Sequence, residues 1–397
     1  MVIKPKIRGF VCVTAHPEGC REHVREQMAY VQKQGVITGM PKKFLIIGSS
    51  TGYGLASRIV AAVGCRADSI GVFFERPEEA DHPASAGFYN ARALDAYARA
   101  EGLRSESLNG DAFSDAVKEE AIGLIRRHLG QVEAVIYSLA SPRRTDPRTG
   151  ETYRSVLKPI GQPFHGKTVY TDKKEVGEIH LEPADEAEIR ETIRVMGGED
   201  WRRWLEALRT AGVLARNVQT WAYSYIGPEL TRPIYADGTI GRAKRDLEET
   251  ARRITEDLSD LEGRAFIVIN KAVVTQASSA IPVVPLYMAI LFRVMKQKGL
   301  HEDCIQQMDR LFRERLAGEQ ALRDAEGRIR LDDWEMRLDV QEEVRRIWPQ
   351  ITTENLEELS DFATYQQDFL KLFGFGFPQV DYEADVPLGA GIPPGIS

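Results

Sequence analysis

The sequence has few of the residues that staple or metallate a fold. Four cysteines, Cys12, Cys20, Cys65 and Cys304, are spread over 397 residues with no Cys-x-x-Cys pair, and the seven histidines show no metal-ligand spacing with them. Neither a disulfide framework nor a metal is expected, and a reduced cytoplasmic protein is the simplest account. Long hydrophobic runs are missing too. The longest, residues 280–292, contains Pro282 and Pro285 and is too short to span a bilayer, so no membrane segment is expected. The basic start of the chain is not followed by the apolar core of a signal peptide. Positive charge is not in excess: 52 basic against 59 acidic residues give a net charge of −7, which offers no global attraction to nucleic acid or an anionic membrane. The net value still leaves room for a local basic patch. No internal repeat is present, which argues against a solenoid, and the single biased tract is a Gly/Pro-rich tail at 387–397 that is expected to be poorly ordered.

What the chain does contain is an ordinary globular composition, 43% apolar and 28% charged, with length enough for a large core in a single extended domain over 1–397. Its centre alternates apolar strand-like runs with amphipathic stretches. Strands are expected at 43–47, 69–74, 105–108, 132–138, 218–224 and 265–269. Helices are expected near 55–62, 94–100, 115–128 and 240–261. That alternation is the pattern of an α/β fold, a Rossmann-type doubly wound parallel sheet. Residues 1–42 suggest an extra strand and helix. Residues 142–216 read as an inserted substrate-covering segment with a hairpin and a helix carrying Trp201 and Trp204. The C-terminal third adds helices rich in Glu and Arg.

Gly48, Ser49, Ser50, Thr51, Gly52, Tyr53 and Gly54 lie between the first of these strands and its helix. Glycines there permit a tight turn and close backbone approach, and the helix N-terminus offers unpaired N–H groups to a diphosphate. Glu75 follows 27 positions after Gly48 at the end of the next strand. A carboxylate there can accept both ribose hydroxyls and repel a 2′-phosphate, which favours NADH over NADPH; Arg76 beside it weakens that preference. Asp111 and Ala112 follow the third strand and Leu139 and Ala140 the fourth, at the ends where a ligand crevice forms. Asp111 can equally be read as a helix N-cap.

Tyr235 and Lys244 follow downstream, separated by eight residues. Nine steps along a helix turn the direction by about 900° and advance roughly 13 Å, so one regular helix would hold these side chains apart. Pro233, Gly238 and Gly241 supply breaks. The expectation is a loop-borne tyrosine reaching over a lysine in the first turns of the next helix, for proton chemistry beside a nicotinamide.

Together these residues resemble the short-chain dehydrogenase/reductase superfamily, and more closely its long bacterial branch of NADH-dependent enoyl reductases acting on acyl-carrier-protein or CoA thioesters. The marks are Tyr235-x8-Lys244, the turn from Gly48 to Gly54, and Ser-Val-Leu-Lys-Pro-Ile from Ser155 to Ile160. The resemblance implies the turn from Gly48 to Tyr53 on the NADH diphosphate, Phe74, Glu75, Asp111 and Ala112 on the adenosine half, and Leu139 and Ala140 on the nicotinamide side. It further implies Tyr235 as proton donor, Lys244 on the nicotinamide ribose, Tyr225 at the substrate, and Val273, Val274 and Thr275 along the cofactor. With the long insertion it also leans toward a monomer. From the residues alone, Tyr225 can be the donor itself or hold the thioester while Tyr235 delivers the proton. A carbonyl reductase would use an upstream serine; Ser224 is available, or alternates to the other face of its strand. Residues 280–292 suit either the wall of an acyl-chain tunnel or plain core.

Overall fold

The apolar runs at the centre of the chain become the strands of one parallel sheet in a computed structural model that describes residues 1–79, 81–317 and 323–388. Most of the predicted tail, from 389 onward, lies outside the described residues. In chain order, β1 (Ile7–Arg8) and β2 (Val11–Cys12) form a short hairpin, followed by α1 (Pro17–Gln34), β3 (Lys43–Ile47), α2 (Gly52–Ile59), β4 (Asp68–Phe73), α3 (Ala86–Ala100), β5 (Ser105–Asn109), α4 (Asp115–His128) and β6 (Val132–Tyr137). Two further hairpins, β7 (Arg143–Thr145) with β8 (Thr152–Arg154) and β9 (Phe164–Tyr170) with β10 (Glu175–Leu181), precede α5 (Glu186–Met196), α6 (Glu199–Thr210), β11 (Leu214–Ser224), α7 (Thr239–Asp257) and β12 (Arg264–Ile269). The C-terminal third holds α8 (Gln276–Ser279), α9 (Val284–Gln297), α10 (Cys304–Arg310), β13 (Ile329–Arg330), α11 (Leu338–Ile347), α12 (Leu356–Leu359) and α13 (Phe362–Lys371).

The sheet order is β13-β12-β11-β6-β3-β4-β5, with every pairing parallel. Helices cover both faces, so β3 is apolar along Phe44, Leu45, Ile46 and Ile47 rather than alternating, and all four are fully buried. Strand order reverses where β3 meets β6, and the crevice outside their C-terminal ends is where such sheets take ligands.

The elements differ from expectation where tertiary packing overrides local pattern. Helix α3 begins at Ala86, well before residue 94, because Phe88, Tyr89 and Ala91 are buried in the core around α9. Strand β11 reaches back to Leu214 through an irregularity in its pairing with β6, where Asn217 has φ +61°; polar Arg216 and Asn217 conceal the extension. Part of the 142–216 segment is not a cover. Trp201 and Trp204 of α6 are fully buried among sheet residues, with Trp201 Nε1 donating to Thr220 Oγ1 at 2.9 Å and Trp204 Nε1 to the Ala112 carbonyl at 3.0 Å. This helix belongs to the layer that backs the sheet.

Residues 280–292 are mostly core as well. Pro285 falls in the first turn of α9, where its missing N–H costs nothing, and Leu286 to Phe292 are buried. Val283, just before that turn, has φ +73°, a conformation that costs a β-branched residue on the order of 1–3 kcal/mol. Its neighbours Ile281 and Val284, with Ala280, are the part of this run that reaches the large cavity described next.

Candidate active site

A cavity of about 810 Å³ opens at the C-terminal ends of β3, β6, β11 and β12, within the usual size range for small-molecule sites. The glycine turn forms one side of this region. Gly48 has φ +85°, and a Cβ there would stand 2.1 Å from the Ser138 carbonyl oxygen; a Cβ on Gly54 would stand 1.9 Å from the carbonyl oxygen of Gly48. Only glycine permits this closure, and it leaves α2 to begin at the turn with Thr51 as its N-cap, whose side chain makes no capping hydrogen bond. The N–H groups of the first turn therefore remain available to an anion.

The predicted residues divide by position. Tyr53, Glu75, Leu139, Ala140, Tyr225, Tyr235, Lys244, Val273 and Thr275 line the cavity. Thr51, Gly52, Val273 and Val274 line a smaller one of about 240 Å³ on the other side of the turn. Ser49 is fully buried, with its hydroxyl on the Val72 carbonyl, and Ser50 donates to Glu75 Oε1 at 2.7 Å. Phe74 lies just past β4 with 75% of its surface exposed. Asp111 accepts from Phe113 N at 3.0 Å, while the N-cap of α4 is Ser114, so the N-cap reading of Asp111 does not hold. Ala112 is buried, its carbonyl taken by Trp204 and Lys118. Thr275 caps α8 through Ser278.

Tyr235 sits in the turn that precedes α7, and Lys244 lies in the second turn of that helix. The break between them is the one the eight-residue gap requires. The Tyr235 ring meets that of Tyr225 edge-on, with centroids 5.0 Å apart, and its hydroxyl makes no hydrogen bond among the described residues. Burial raises the Tyr235 phenol above its ordinary value, so it is protonated at neutral pH. Lys244 Nζ donates to the Tyr223 carbonyl at 3.1 Å, and burial pulls its ammonium down to about 8 against the opposing pull of Glu248.

Two residues are more prominent here than sequence reasoning made them. Ser224 faces the cavity rather than the opposite side of β11, and its Oγ is buried without a partner. Asn270, one residue past β12, lines the same wall with both side-chain polar atoms buried and unpartnered. An unmet buried amide costs roughly 1–3 kcal/mol. Such atoms on the cavity that Lys244 lines fit a polar ligand, and with the glycine cradle they suit a nicotinamide dinucleotide. The available signal for Asn270 was its position at a strand's C-terminal end.

Glu75 is also fixed in place. Its backbone pairs with Asn109 in both directions, N to Oδ1 at 2.8 Å and O to Nδ2 at 2.9 Å, and Gly87 makes room for the carboxylate, since a Cβ there would stand 2.1 Å from Glu75 Oε1. Arg76 is exposed and donates to the Pro83 carbonyl at 3.2 Å. Replacing Glu75 with Gln is therefore expected to raise the NADPH-to-NADH ratio of kcat/KM by about tenfold, roughly 1.4 kcal/mol. An unchanged ratio in steady-state assays with both cofactors would remove Glu75 from cofactor selection.

A doubly wound parallel sheet, a glycine cradle at its switch point and a Tyr/Lys pair in the crevice define a nicotinamide-dependent reductase. Comparison with known proteins narrows the class. The model of the trans-2-enoyl-CoA reductase catalytic region matches residues 82–317, and that of the NAD(P)H binding domain of trans-2-enoyl-CoA reductase matches 2–80. The enoyl-[acyl-carrier-protein] reductase [NADH] of Opitutus terrae is 58% identical over 387 residues, covering 97% of this chain and 98% of its own, and that of Coxiella burnetii is 56% identical over 396 residues, covering 99% and 98%. The crystal structure of Treponema denticola trans-2-enoyl-CoA reductase in complex with NAD superposes with a TM-score of 0.95 at 46% identity, over 99% of this chain and 100% of that one. The chain belongs to the trans-2-enoyl reductase family.

A third model, described as an enoyl reductase FAD binding domain, matches residues 323–386. The residues there do not fit a flavin dinucleotide. Gly374 and Gly376 follow the end of α13 rather than opening a helix, and Gly374 is packed against the backbone of His16 and Cys20. Phe373 is the sole residue of this segment on the large cavity among the described residues.

Proposed function

We propose that Tyr235 is the proton donor of an NADH-dependent reduction of trans-2-enoyl thioesters, with Lys244 supporting it and the glycine turn holding the dinucleotide. As a member of this family the chain is an NADH-dependent enoyl thioester reductase. Bound NADH supplies hydride to the β-carbon of the substrate. As negative charge builds on the thioester oxygen, a phenol aimed at that oxygen stabilises the charge where it develops, commonly the largest contribution in such a site. Tyr235 meets the requirement: it is buried on the cavity wall and protonated, and its hydroxyl is uncommitted. That free hydroxyl, on the cavity that Lys244 also lines, is the observation that carries the reading. The Lys244 ammonium favours the tyrosinate left behind and lowers the cost of transfer.

Acyl carrier protein is our choice of carrier, in fatty acid synthesis, because the relatives at 56–58% identity are named for it, whereas the Treponema protein named for CoA stands at 46%. No helix among the described residues is long and apolar enough to cross a membrane, and we take the working unit to be a monomer in the cytoplasm. Stopped-flow NADH oxidation tests the reaction: crotonyl thioesters are expected to be reduced and acetoacetyl thioesters left untouched. Turnover of the keto substrate alone would point to a carbonyl reductase using Ser224. Matched crotonyl-carrier and crotonyl-CoA substrates then decide the carrier through kcat/KM.

A further inference from the structure

We propose that Glu335 is a positioning residue for this reaction: it takes the hydroxyl hydrogen of Tyr225, fixes that ring against Tyr235, and leaves Tyr235 as the member of the pair able to give its proton to the substrate.

Glu335 lies in the turn between β13 and α11, far along the chain from either tyrosine, and is 0% exposed. Its Oε1 accepts from the Tyr225 hydroxyl at 2.8 Å and from the Tyr287 hydroxyl at 2.7 Å, and its Oε2 accepts from the Ala272 amide at 2.7 Å. While the Tyr287 hydroxyl donates to Glu335, its oxygen accepts from Gln341 Nε2 at 3.0 Å, and the same Gln341 nitrogen donates to the Glu335 carbonyl at 2.7 Å. Three donors converging on one carboxylate make charge-assisted bonds, about twice as strong as neutral ones. They offset only part of its desolvation: burial still raises the Glu335 carboxyl above its ordinary value, Lys271 opposes that rise through its field, and Tyr53 is the other titratable group that feels it.

A phenol has one hydrogen, and that of Tyr225 points at Glu335. The Tyr235 hydroxyl has no such partner, although the two rings touch edge-on at 5.0 Å. Glu335 also grips Ala272, which leads into Val273, Val274 and Thr275, so one side chain sets both the wall behind Tyr235 and the strand end that faces the dinucleotide site. Sequence alone left the roles of the two tyrosines interchangeable, and this carboxylate separates them.

Glu335→Gln tests the assignment through a reversal of donors. The Ala272 amide still needs an acceptor, so the new side-chain oxygen must take that place, and its NH₂ then faces both phenols. Tyr225 must accept, and its own hydrogen is released toward the cavity. The inference rests on Tyr235 being the donor, so the background is Tyr235→Phe. With crotonyl-CoA and NADH, the Tyr235→Phe/Glu335→Gln protein is expected to turn over at least about tenfold faster than Tyr235→Phe alone, and adding Tyr225→Phe is expected to abolish the gain. Tyr225→Phe by itself is expected to lower kcat by less than about tenfold, with KM for NADH unchanged. An absent gain, a gain that survives Tyr225→Phe, or a Tyr225→Phe loss equal to that of Tyr235→Phe would each overturn the role of Glu335. Should the double variant fail to fold in a thermal melt, the comparison of the two single Tyr→Phe variants decides. Full activity in Tyr235→Phe alone would instead refute the donor assignment on which the inference stands.

Discussion

Tyr235→Phe is expected to lower kcat for crotonyl thioesters by roughly 10²–10⁴-fold, the range for losing a positioned general acid, while leaving NADH affinity and thermal stability close to those of the parent. The substitution is unusually clean here. Phenylalanine keeps the ring that packs edge-on against Tyr225, and the hydroxyl it deletes has no hydrogen-bond partner among the described residues, so no buried group is orphaned by its loss. Removal of a buried hydroxyl without a partner costs folding little. The whole effect should therefore fall on the step in which charge develops at the thioester oxygen, and single-turnover NADH oxidation would show a slow chemical step with normal cofactor binding by fluorescence. If kcat dropped less than about tenfold, the free hydroxyl would have been misread, and Tyr225 would be the group to examine. If instead KM for NADH rose in parallel, Tyr235 would be a cofactor contact rather than a donor.

How much of this was legible in the sequence follows from what kind of interaction each feature depends on. The strands of the sheet were readable because both of its faces are buried, and a run such as Phe44 to Ile47 has no polar interruption. The glycine turn was readable because steric exclusion leaves only glycine at Gly48 and Gly54. The eight-residue gap between Tyr235 and Lys244 was readable through helix geometry, which forbids a continuous helix between them, and the structure has a turn there followed by α7. Features set by long-range partners were not readable. Nothing near Glu335 in the chain says that it will meet Tyr225, 110 residues away, and a lone Glu ahead of a helix ordinarily reads as solvated. The facing of Ser224 depended on register against β6 and β12. Trp201 and Trp204 looked like the hydrophobic side of a cover because the segment around them is long and irregular, yet the partners of their indole N–H groups, Thr220 and Ala112, lie at the sheet.

Lys244→Met is expected to abolish more than about 99% of kcat/KM and, at the same time, to make the apo protein more stable at neutral pH. Both outcomes come from the same burial. Desolvation brings the Lys244 ammonium down from 10.5 to about 8, with Glu248 holding it up. A group whose folded value lies below its unfolded one binds more protons unfolded between those two values, so stability rises as pH climbs from about 8 toward 10.5; below 8 the folded state carries the full desolvation cost of the charge. Methionine matches the stem and removes the charge. Because Lys244 remains partly open to the cavity, the gain is discounted to about 1–2 kcal/mol from the shift, and urea denaturation at pH 7 would reveal it as a higher midpoint with an unchanged slope. The catalytic loss has its own signature. In the parent, activity that depends on the ammonium is expected to decline as pH passes through about 8, and Glu248→Gln, which removes the opposing carboxylate, is expected to move that decline to lower pH. Lys244→Met should show low activity with no such limb. A variant that lost activity but also lost stability would mean that Lys244 is held for its contacts, chiefly the bond to the Tyr223 carbonyl at 3.1 Å, and not for the charge it brings to Tyr235.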